Sequence, residues 1–372
     1  MSQLLERLRR ELSSESNPVK RGQLIAQIAA ALARLGRFEE AKQCVADVRS
    51  QFGGGQSGAV TIWTMLSEGI IFHYEALSPA AIDRLKGAQA LAIAMRYTEG
   101  IAATAAWKAH IEFELSMFDD MATSLDLALD NVVDTDLEVK TRLAMILSNA
   151  YMVCGDRDTA QDWFLRGHEM AVKNGDKASI EALLYNRTVF GLSYLRVRRA
   201  LGQPVAIDLP MLRGEIDSAK SLQSLSTVNA LTNHIFLWSA RLMILAEQFE
   251  AAISELESVR SLAPFATHNF SQSLIDLEIA YCHMRLGQSE LARERYLSLD
   301  LSDLPSIDLD EQIVCTRLRL HLCSLPGCGE AASYQEKLEE MSCRFEDEGK
   351  QLLCALGRLH AVEKFTKAKC TD

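Results

Sequence analysis

The chain has 372 residues and a formal net charge of −11, from 39 Lys+Arg against 50 Asp+Glu. Its 7 Pro and 20 Gly are too few for a β-sandwich or β-barrel, which needs a turn signal about every 8–12 residues. The acidic balance also argues against a nucleic-acid-binding protein, because phosphate contacts need clustered Lys and Arg. These counts favour an all-α protein without a nucleic-acid partner.

Two features of the sequence bear on where the protein acts. No apolar run approaches the ~18 residues of a membrane span, and the N-terminal stretch MSQLLER lacks the apolar core of a signal peptide. The nine cysteines have no framework spacing, which is typical of a reducing compartment. We therefore expect a cytoplasmic protein that does not bind membranes.

Residues 1–17 predict a charged amphipathic helix with a Ser-rich link, which we interpret as an N-terminal cap. After it a unit of about 40 residues recurs, consisting of an amphipathic helix, a short turn and a second helix with a small residue near its start. The residues at this repeated position are Ala41, Ala81, Met121, Ala160, Ala252 and Ala292. Their spacings are 40, 40, 39, 92 and 40 residues, and the long step equals two units plus about twelve residues.

The repeats predict a division of the chain. Residues 18–198 hold a first array of helix pairs, and residues 209–300 hold a second array. Between them, the stretch 199–208 contains Gly and Pro and predicts an inserted loop. Residues 301–372 predict a degenerate repeat and C-terminal capping helices, as the ends of a repeat array require.

The turns within the repeats carry a resemblance to a known family. Gly36, Gly155 and Gly287 end the first helix of a pair. Many helices end with a residue in the left-handed conformation, which glycine adopts at the lowest energetic cost. With the aromatic and small residues that follow, segments 25–48, 144–171 and 279–299 resemble the tetratricopeptide repeat family. The resemblance implies an all-α, right-handed α-solenoid of antiparallel helix pairs.

The period of this repeat differs from that of the family. The chain repeats near 40 residues, against about 34 in the family, and so resembles the long-helix variants of bacterial peptide-sensing regulators. Period alone also admits a HEAT-type array. The Gly-x-Phe-x-x-Ala turn favours the tetratricopeptide interpretation.

Motifs for catalysis were sought next. The chain has no GxGxxG after a strand, no GxxxxGK[ST], no HExxH and no GxSxG. Asp119 and Asp120 begin a DDxxD-like string but lack its third carboxylate, so we interpret them as an acidic helix start. The late cysteines have no close CxxC pair that would indicate zinc. We expect no catalytic residues, no metal site and no cofactor.

The strongest basic patch is Arg196, Arg198 and Arg199, with Arg187 two to three turns earlier. A basic helix end beside a loop is the simpler interpretation of these residues. We therefore do not assign them to a nucleic-acid surface.

In the tetratricopeptide family the first helix of each pair lines a concave groove that binds ligands. Helical periodicity, applied to the residues that precede each repeated small residue, places a mixture of polar and aromatic side chains on this surface. The binding candidates are Trp63, His73, His110, Phe113, Arg142, Asn149, His234, Arg241 and Tyr281. Among them Asn149 with Arg142 resembles part of the family's clamp for a peptide carboxylate. The alternative is a closed groove in which these residues satisfy one another.

These observations lead to three function classes. The first is a non-enzymatic adaptor that binds a peptide or protein partner in the groove. The second is a sensor of a small ligand or signal peptide, which acts through a partner protein. The third is an all-α enzyme built around His73, His110 and Asp119, for which no catalytic constellation converges. A homodimer formed through the end repeats is a further expectation.

Overall fold

The computed structural model describes residues 2–52, 57–76, 78, 80–204, 208–224, 232–261, 272–300 and 308–359. Regular secondary structure in these ranges is α-helical throughout, which confirms the all-α prediction. The helices are α1 (Gln3–Ser14), α2 (Pro18–Arg34), α3 (Phe38–Phe52), α4 (Gly58–Ala76), α5 (Ala80–Ala94), α6 (Thr98–Glu114), α7 (Phe118–Asn131), α8 (Leu137–Val153), α9 (Arg157–Asn174), α10 (Lys177–Ala200), α11 (Leu209–Ser224), α12 (Thr232–Leu245), α13 (Phe249–Arg260), α14 (Gln272–Arg285), α15 (Ser289–Leu297), α16 (Leu309–Leu322) and α17 (Ala331–Gly357).

Helices that follow one another along the chain pack together as pairs. Short turns join α2–α3, α6–α7, α8–α9, α12–α13 and α14–α15, and α4 packs against α5. The predicted fold class, an all-α array of helix pairs, is confirmed by this packing.

The chain divides into two compact units. Unit 1 contains Met1–Leu183 and Gln351–Asp372, and unit 2 contains Leu184–Lys350. The divisions fall inside α10 and α17, whereas the sequence places a boundary at the loop 199–208. Helix α10 ends at Ala200 and α11 begins at Leu209, with residues 205–207 outside the described ranges.

The C-terminal region differs in detail from the expectation for 301–372. Where the sequence suggested a second repeat helix and a separate capping helix, a single α17 runs to Gly357. Gly349 lies inside it, because one glycine costs a helix only about 1 kcal/mol and no proline follows to end it. Residues 360–372 lie outside the described ranges.

The repeated small position is buried in every repeat. The residues concerned have a relative exposure of 1% or less: Ala41, Ala81, Met121, Ala160, Ala252 and Ala292. Each lies in the first turn or two of the second helix of its pair, where a larger side chain would push the two helices apart. The alignment on this position is therefore confirmed.

The turn inside the pairs α2–α3, α8–α9 and α14–α15 has one backbone form. Gly36, Gly155 and Gly287 adopt φ of 72°, 81° and 75°, as predicted. Around Gly36, the amide of Arg37 donates to the carbonyl of Leu32 at 2.9 Å, which is the Schellman pattern.

Two repeats make the same turn without glycine. Ser116 and Glu247 occupy the equivalent position with φ of 56° and 60°, and Arg96 adopts φ of 53° in a turn between two pairs, from α5 to α6. The amide of Met117 donates to the carbonyl of Glu112 at 2.8 Å, which repeats the Schellman bond. The turn is thus conserved in its backbone geometry where its residue type changes.

In unit 1 the N-terminal helix α1 packs on the rest of the unit. Leu4, Leu5 and Leu8 of α1 are buried. The amide of Leu4 donates to the carbonyl of Gly175 at 3.1 Å, in the turn between α9 and α10.

The core of unit 2 joins α10 to the helices that follow. Leu192 and Leu195 of α10 pack with Leu212 and Ile216 of α11 and with Trp238 of α12. These contacts place α10 and α11 beside each other, in the stretch of chain covered by the 92-residue step. Within the described ranges, no helix has both the length and the apolar character that crossing a membrane requires.

Candidate functional site

The nine binding candidates fall into one cluster in each unit. Eight of them are buried and Trp63 is half-buried. Unit 1 contains Trp63, His73, His110, Phe113, Arg142 and Asn149, and unit 2 contains His234, Arg241 and Tyr281.

Two imidazoles and a carboxylate meet in unit 1. His73 lies near the end of α4, and His110 and Glu114 lie one turn apart at the end of α6. His73 Nε2 lies 3.5 Å from Glu114 Oε2, and His110 Nε2 lies 3.3 Å from Glu114 Oε1. The two rings meet edge to face with centroids 5.5 Å apart. Sequence analysis found both histidines but not Glu114.

Both histidines are buried beside a positive charge. Burial, followed by the charge of Arg142, lowers the pKa of His73 to about 4. Burial also holds the pKa of His110 well below its ordinary value, and Arg142 and His73 add to that shift. The imidazoles are therefore neutral near pH 7, and each ring has one nitrogen with a free lone pair.

Arg142 of α8 is buried against an aromatic ring rather than a carboxylate. Its guanidinium carbon lies 3.8 Å from the ring centroid of Trp107, and its side chain shares a hydrogen bond with Tyr74. Burial lowers the pKa of Arg142, although the attraction of Tyr74 opposes that shift. Within the described part of unit 1, Arg142 forms no ion pair.

A second buried arginine in unit 1 is paired with two carboxylates. Arg34, the last residue of α2, contacts Asp176 at 2.5 Å, Ser179 at 2.6 Å and Glu138 at 2.9 Å. Burial lowers the pKa of Arg34, but the charges of Asp176 and Glu138 outweigh burial and raise it overall. This network holds α2, α8 and the start of α10 together.

The remaining unit 1 candidates have packing partners. Trp63 Nε1 donates to Tyr97 Oη at 3.1 Å. Phe113 is buried at the end of α6, and Asn149 is buried on α8, two turns after Arg142. Among these candidates His73 and His110 contact each other, whereas Trp63 contacts Tyr97, which is not a candidate.

In unit 2 four buried charges form one network. Arg241 donates to Glu278 at 2.9 Å and to Glu311 at 2.9 Å. Arg196 donates to the same two carboxylates at 2.6 Å and 2.8 Å. Burial acts to raise the pKa of Glu311, but Arg196 and Arg241 outweigh burial and lower it. The predicted binding residue Arg241 is thus fully engaged by carboxylates.

A pocket of about 80 Å³ lies beside this network. Its charged lining consists of Arg196, Arg199, Arg241, Arg317 and Glu278, and His321 and Tyr281 complete its polar wall. Four arginines therefore face the pocket against a single carboxylate.

Two of these arginines are not held by the buried network. Arg199 donates to the carbonyl of Leu245 at 2.6 Å and to Glu247 at 2.9 Å. Arg317 donates to the carbonyl of Ala200 and forms no ion pair within the described part of unit 2. Burial lowers the pKa of Arg317, as expected for a cation without a charged partner. The pocket therefore carries an excess positive charge.

The other unit 2 candidates border this region. The ring of His234 shares a hydrogen bond with Tyr185 Oη at 3.3 Å. Burial, and then the charge of Arg241, lowers the pKa of His234 to about 4. Tyr281 Oη accepts a hydrogen bond from Arg285 at 2.8 Å, and its ring lies 5.6 Å from that of His321.

Comparison with known proteins bears on the fold. The sequence matches no protein-family model and no curated protein sequence. Among solved structures, a Rap protein complexed with competence and sporulation factor matches with a TM-score of 0.62 at 11% identity, covering 94% of this chain and 97% of that chain. The apo form of RapI matches with a TM-score of 0.45 at 10% identity, covering 95% of this chain and 92% of that chain.

The chain has the helical-repeat fold. The first match extends over nearly the whole chain, and at 11% identity it shows the fold alone. It agrees with the repeated helix pairs and turns described above.

Sequence analysis missed most of the residues around the unit 2 pocket. It interpreted Arg196 as part of a basic helix end beside a loop, and it did not foresee that Arg196 is buried between Glu278 and Glu311. An available signal was the presence of charged residues within apolar helical stretches, such as Glu278 in LIDLEIAY. Such a residue is buried only when a partner charge accompanies it.

Proposed function

We propose that this protein is a cytoplasmic, non-enzymatic regulator of the long-repeat tetratricopeptide type, which binds a peptide or a segment of a partner protein. The arginine-lined pocket of unit 2 carries this proposal, because its excess positive charge calls for an anionic group. The helix pairs, the buried small position and the recurring left-handed turn support the family assignment.

The similarity of fold to a Rap protein supports a peptide as the ligand. The Rap protein with a TM-score of 0.62 was solved with competence and sporulation factor, a peptide. A peptide can supply the negative charge that would balance the arginines of the pocket. Its C-terminal carboxylate or an acidic side chain is an anion of suitable size. Arginine forks bind carboxylates through paired, charge-assisted hydrogen bonds.

The pocket has room for one such group only. At about 80 Å³ it accommodates a carboxylate, and the remainder of a peptide would extend beyond it. Arg317 is the residue that we expect to hold the carboxylate, because Arg196 and Arg241 are already paired with Glu278 and Glu311. The unit 1 candidates and His234 remain proposed binding residues, each within its own unit, through their positions on the first helices.

The experiment uses a degenerate library of short peptides, prepared with either a free or an amidated C-terminus and captured on the full chain. The wild type should enrich free-acid peptides, and Arg317→Gln should lose this enrichment. The matched control is Arg213→Gln, which removes an exposed arginine of α11 that donates to Gln248 at 2.9 Å. Equal capture of amidated peptides, or full capture by Arg317→Gln, would refute the role of the pocket.

A second candidate is a sensor of a small carboxylate, favoured by the size of the pocket. Calorimetric titration with citrate and acetate separates the two. Binding of these anions as tight as that of selected peptides would favour the small-ligand sensor. Weak binding of the anions, combined with tight peptide binding, would favour the peptide regulator.

The proposal also includes a homodimer and excludes nucleic acid and membranes as partners. Sedimentation equilibrium over a range of concentrations tests the dimer. A single monomer mass at all concentrations would contradict this part of the proposal and leave peptide binding unaffected.

A further inference from the structure

The two imidazoles and the carboxylate of unit 1 have the spacing of metal ligands. Ligand atoms of His73, His110 and Glu114 all lie within 4.8 Å of one another. Tetrahedral zinc, with bonds of about 2.0–2.2 Å, places neighbouring ligand atoms about 3.3–3.6 Å apart. His73 Nε2 lies 3.5 Å from Glu114 Oε2 and His110 Nε2 lies 3.3 Å from Glu114 Oε1, so each imidazole faces its own carboxylate oxygen at a distance close to that edge length.

The surroundings of the three residues also fit a ligand. His110 is 4% exposed, and its Nε2 faces Glu114. His73 is 6% exposed, so both rings are held in place by packing. The side chain of Glu114 is 39% exposed, which gives an ion a path from solvent to the imidazoles.

We propose that His73, His110 and Glu114 bind a divalent transition-metal ion of the zinc type, which links α4 to α6. Two nitrogen ligands and one carboxylate suit zinc, whereas calcium and magnesium require a shell of oxygen ligands. Three protein ligands leave a fourth position for water or another group. The site lies in unit 1, apart from the arginine-lined pocket of unit 2, and its test does not depend on peptide binding.

One nearby charge acts against the metal and supplies a second test. Arg142 of α8 faces both imidazoles, and its charge is not cancelled by an ion pair in the described part of unit 1. Its guanidinium repels a divalent ion. Replacing Arg142 with methionine should therefore raise the affinity for zinc.

The test titrates the full chain with Zn²⁺ by calorimetry and follows its melting temperature. The wild type should bind one ion more than Glu114→Gln or His73→Gln, and zinc should raise the melting temperature of the wild type only. The controls are His168→Gln and Glu39→Gln, which change an imidazole and an exposed carboxylate elsewhere in unit 1. Both controls should behave as the wild type.

Cobalt distinguishes this site from the cysteines. Co²⁺ bound by two imidazoles and a carboxylate should show visible d–d bands without a thiolate charge-transfer band, and Glu114→Gln should lose these bands. Glu114→Gln changes a partly exposed side chain and should fold, which circular dichroism checks. An unchanged ion count and unchanged cobalt bands in folded Glu114→Gln and His73→Gln would overturn the proposal.

Discussion

Arg241 Nη1 donates to Glu311 Oε1 at 2.9 Å, and the two residues are 70 positions apart in the chain. The side chain of Arg241 is 0% exposed and that of Glu311 is 6% exposed. The pair thus ties α12 to α16 through the interior of unit 2. Because both charges have left water, each depends on the other for its solvation.

Removing one member of this network should destabilise the protein strongly. Glu311→Gln leaves Arg196 and Arg241 with Glu278 as their remaining carboxylate in the network. Breaking a buried pair in this way costs about 3–5 kcal/mol, and urea denaturation at pH 7 should show a loss of this size. Glu290→Gln, an exposed change on α15, is the control and should stay within about 0.5 kcal/mol of the wild type. A similar small loss in Glu311→Gln would show that the network is not structurally important.

The same carboxylate should make stability depend on pH. The pKa of Glu311 is lowered in the folded protein, because Arg196 and Arg241 outweigh the effect of burial. A carboxylate with a lowered folded-state pKa stabilises the fold above its unfolded pKa, about 4.3, and this stabilisation is lost as pH falls through the folded pKa. The difference in unfolding free energy between wild type and Glu311→Gln should therefore be constant from pH 7 to about pH 5 and should shrink below that. A difference that grows on acidification would contradict the assignment.

The left-handed turns predict opposite effects of glycine and alanine. Ser116 is exposed and adopts φ of 56°, a conformation that costs a residue with a side chain about 1–2 kcal/mol. Ser116→Gly relieves that cost and loses about 0.4–1 kcal/mol through the unfolded chain, so a gain of up to about 1 kcal/mol is expected. Gly155→Ala, at φ of 81°, should lose a similar amount. Thermal unfolding measures the melting temperatures of both variants relative to the wild type. Changes of the same sign in the two variants would refute the argument.

The buried small position can be tested with two adjacent alanines. Ala252 of α13 is 0% exposed, and its neighbour Ala251 is exposed. Leucine at 252 should overpack the joint between helices and cost about 1–3 kcal/mol, whereas leucine at 251 should change stability by less than about 0.5 kcal/mol. Chemical denaturation of the two variants measures the contrast. Equal stabilities would mean that position 252 does not limit the approach of the helices.

The repeats could be predicted because their signals are local. A buried residue such as Ala160 and a left-handed turn such as Gly155 belong to one helix pair, so their spacing is written directly in the sequence. The pairing of Arg34 with Asp176, across 142 positions, depends on which helices become neighbours. No periodicity within α2 contains that information.

The candidate sites show the same limit. The spacing of helical residues before Met121 identified His110 as a residue on the inner face of α6. The same spacing did not identify Glu114, which lies one turn later at the end of α6. Glu114 becomes a candidate ligand because it lies beside His73, which belongs to another helix. Likewise, Arg317 stands out once the pocket around it is known, since nothing in its local sequence separates it from other basic residues.

The shared turn geometry also bears on how such repeats diverge. Ser116 and Glu247 show that the left-handed position tolerates a charged or polar residue where other repeats of this chain have glycine. The repeats thus share a backbone shape that several side chains can adopt, and the amino-acid signature of the turn differs between repeats while its geometry stays the same. A sequence profile that demands glycine at this point would recognise Gly36, Gly155 and Gly287 and overlook the turns at Ser116 and Glu247.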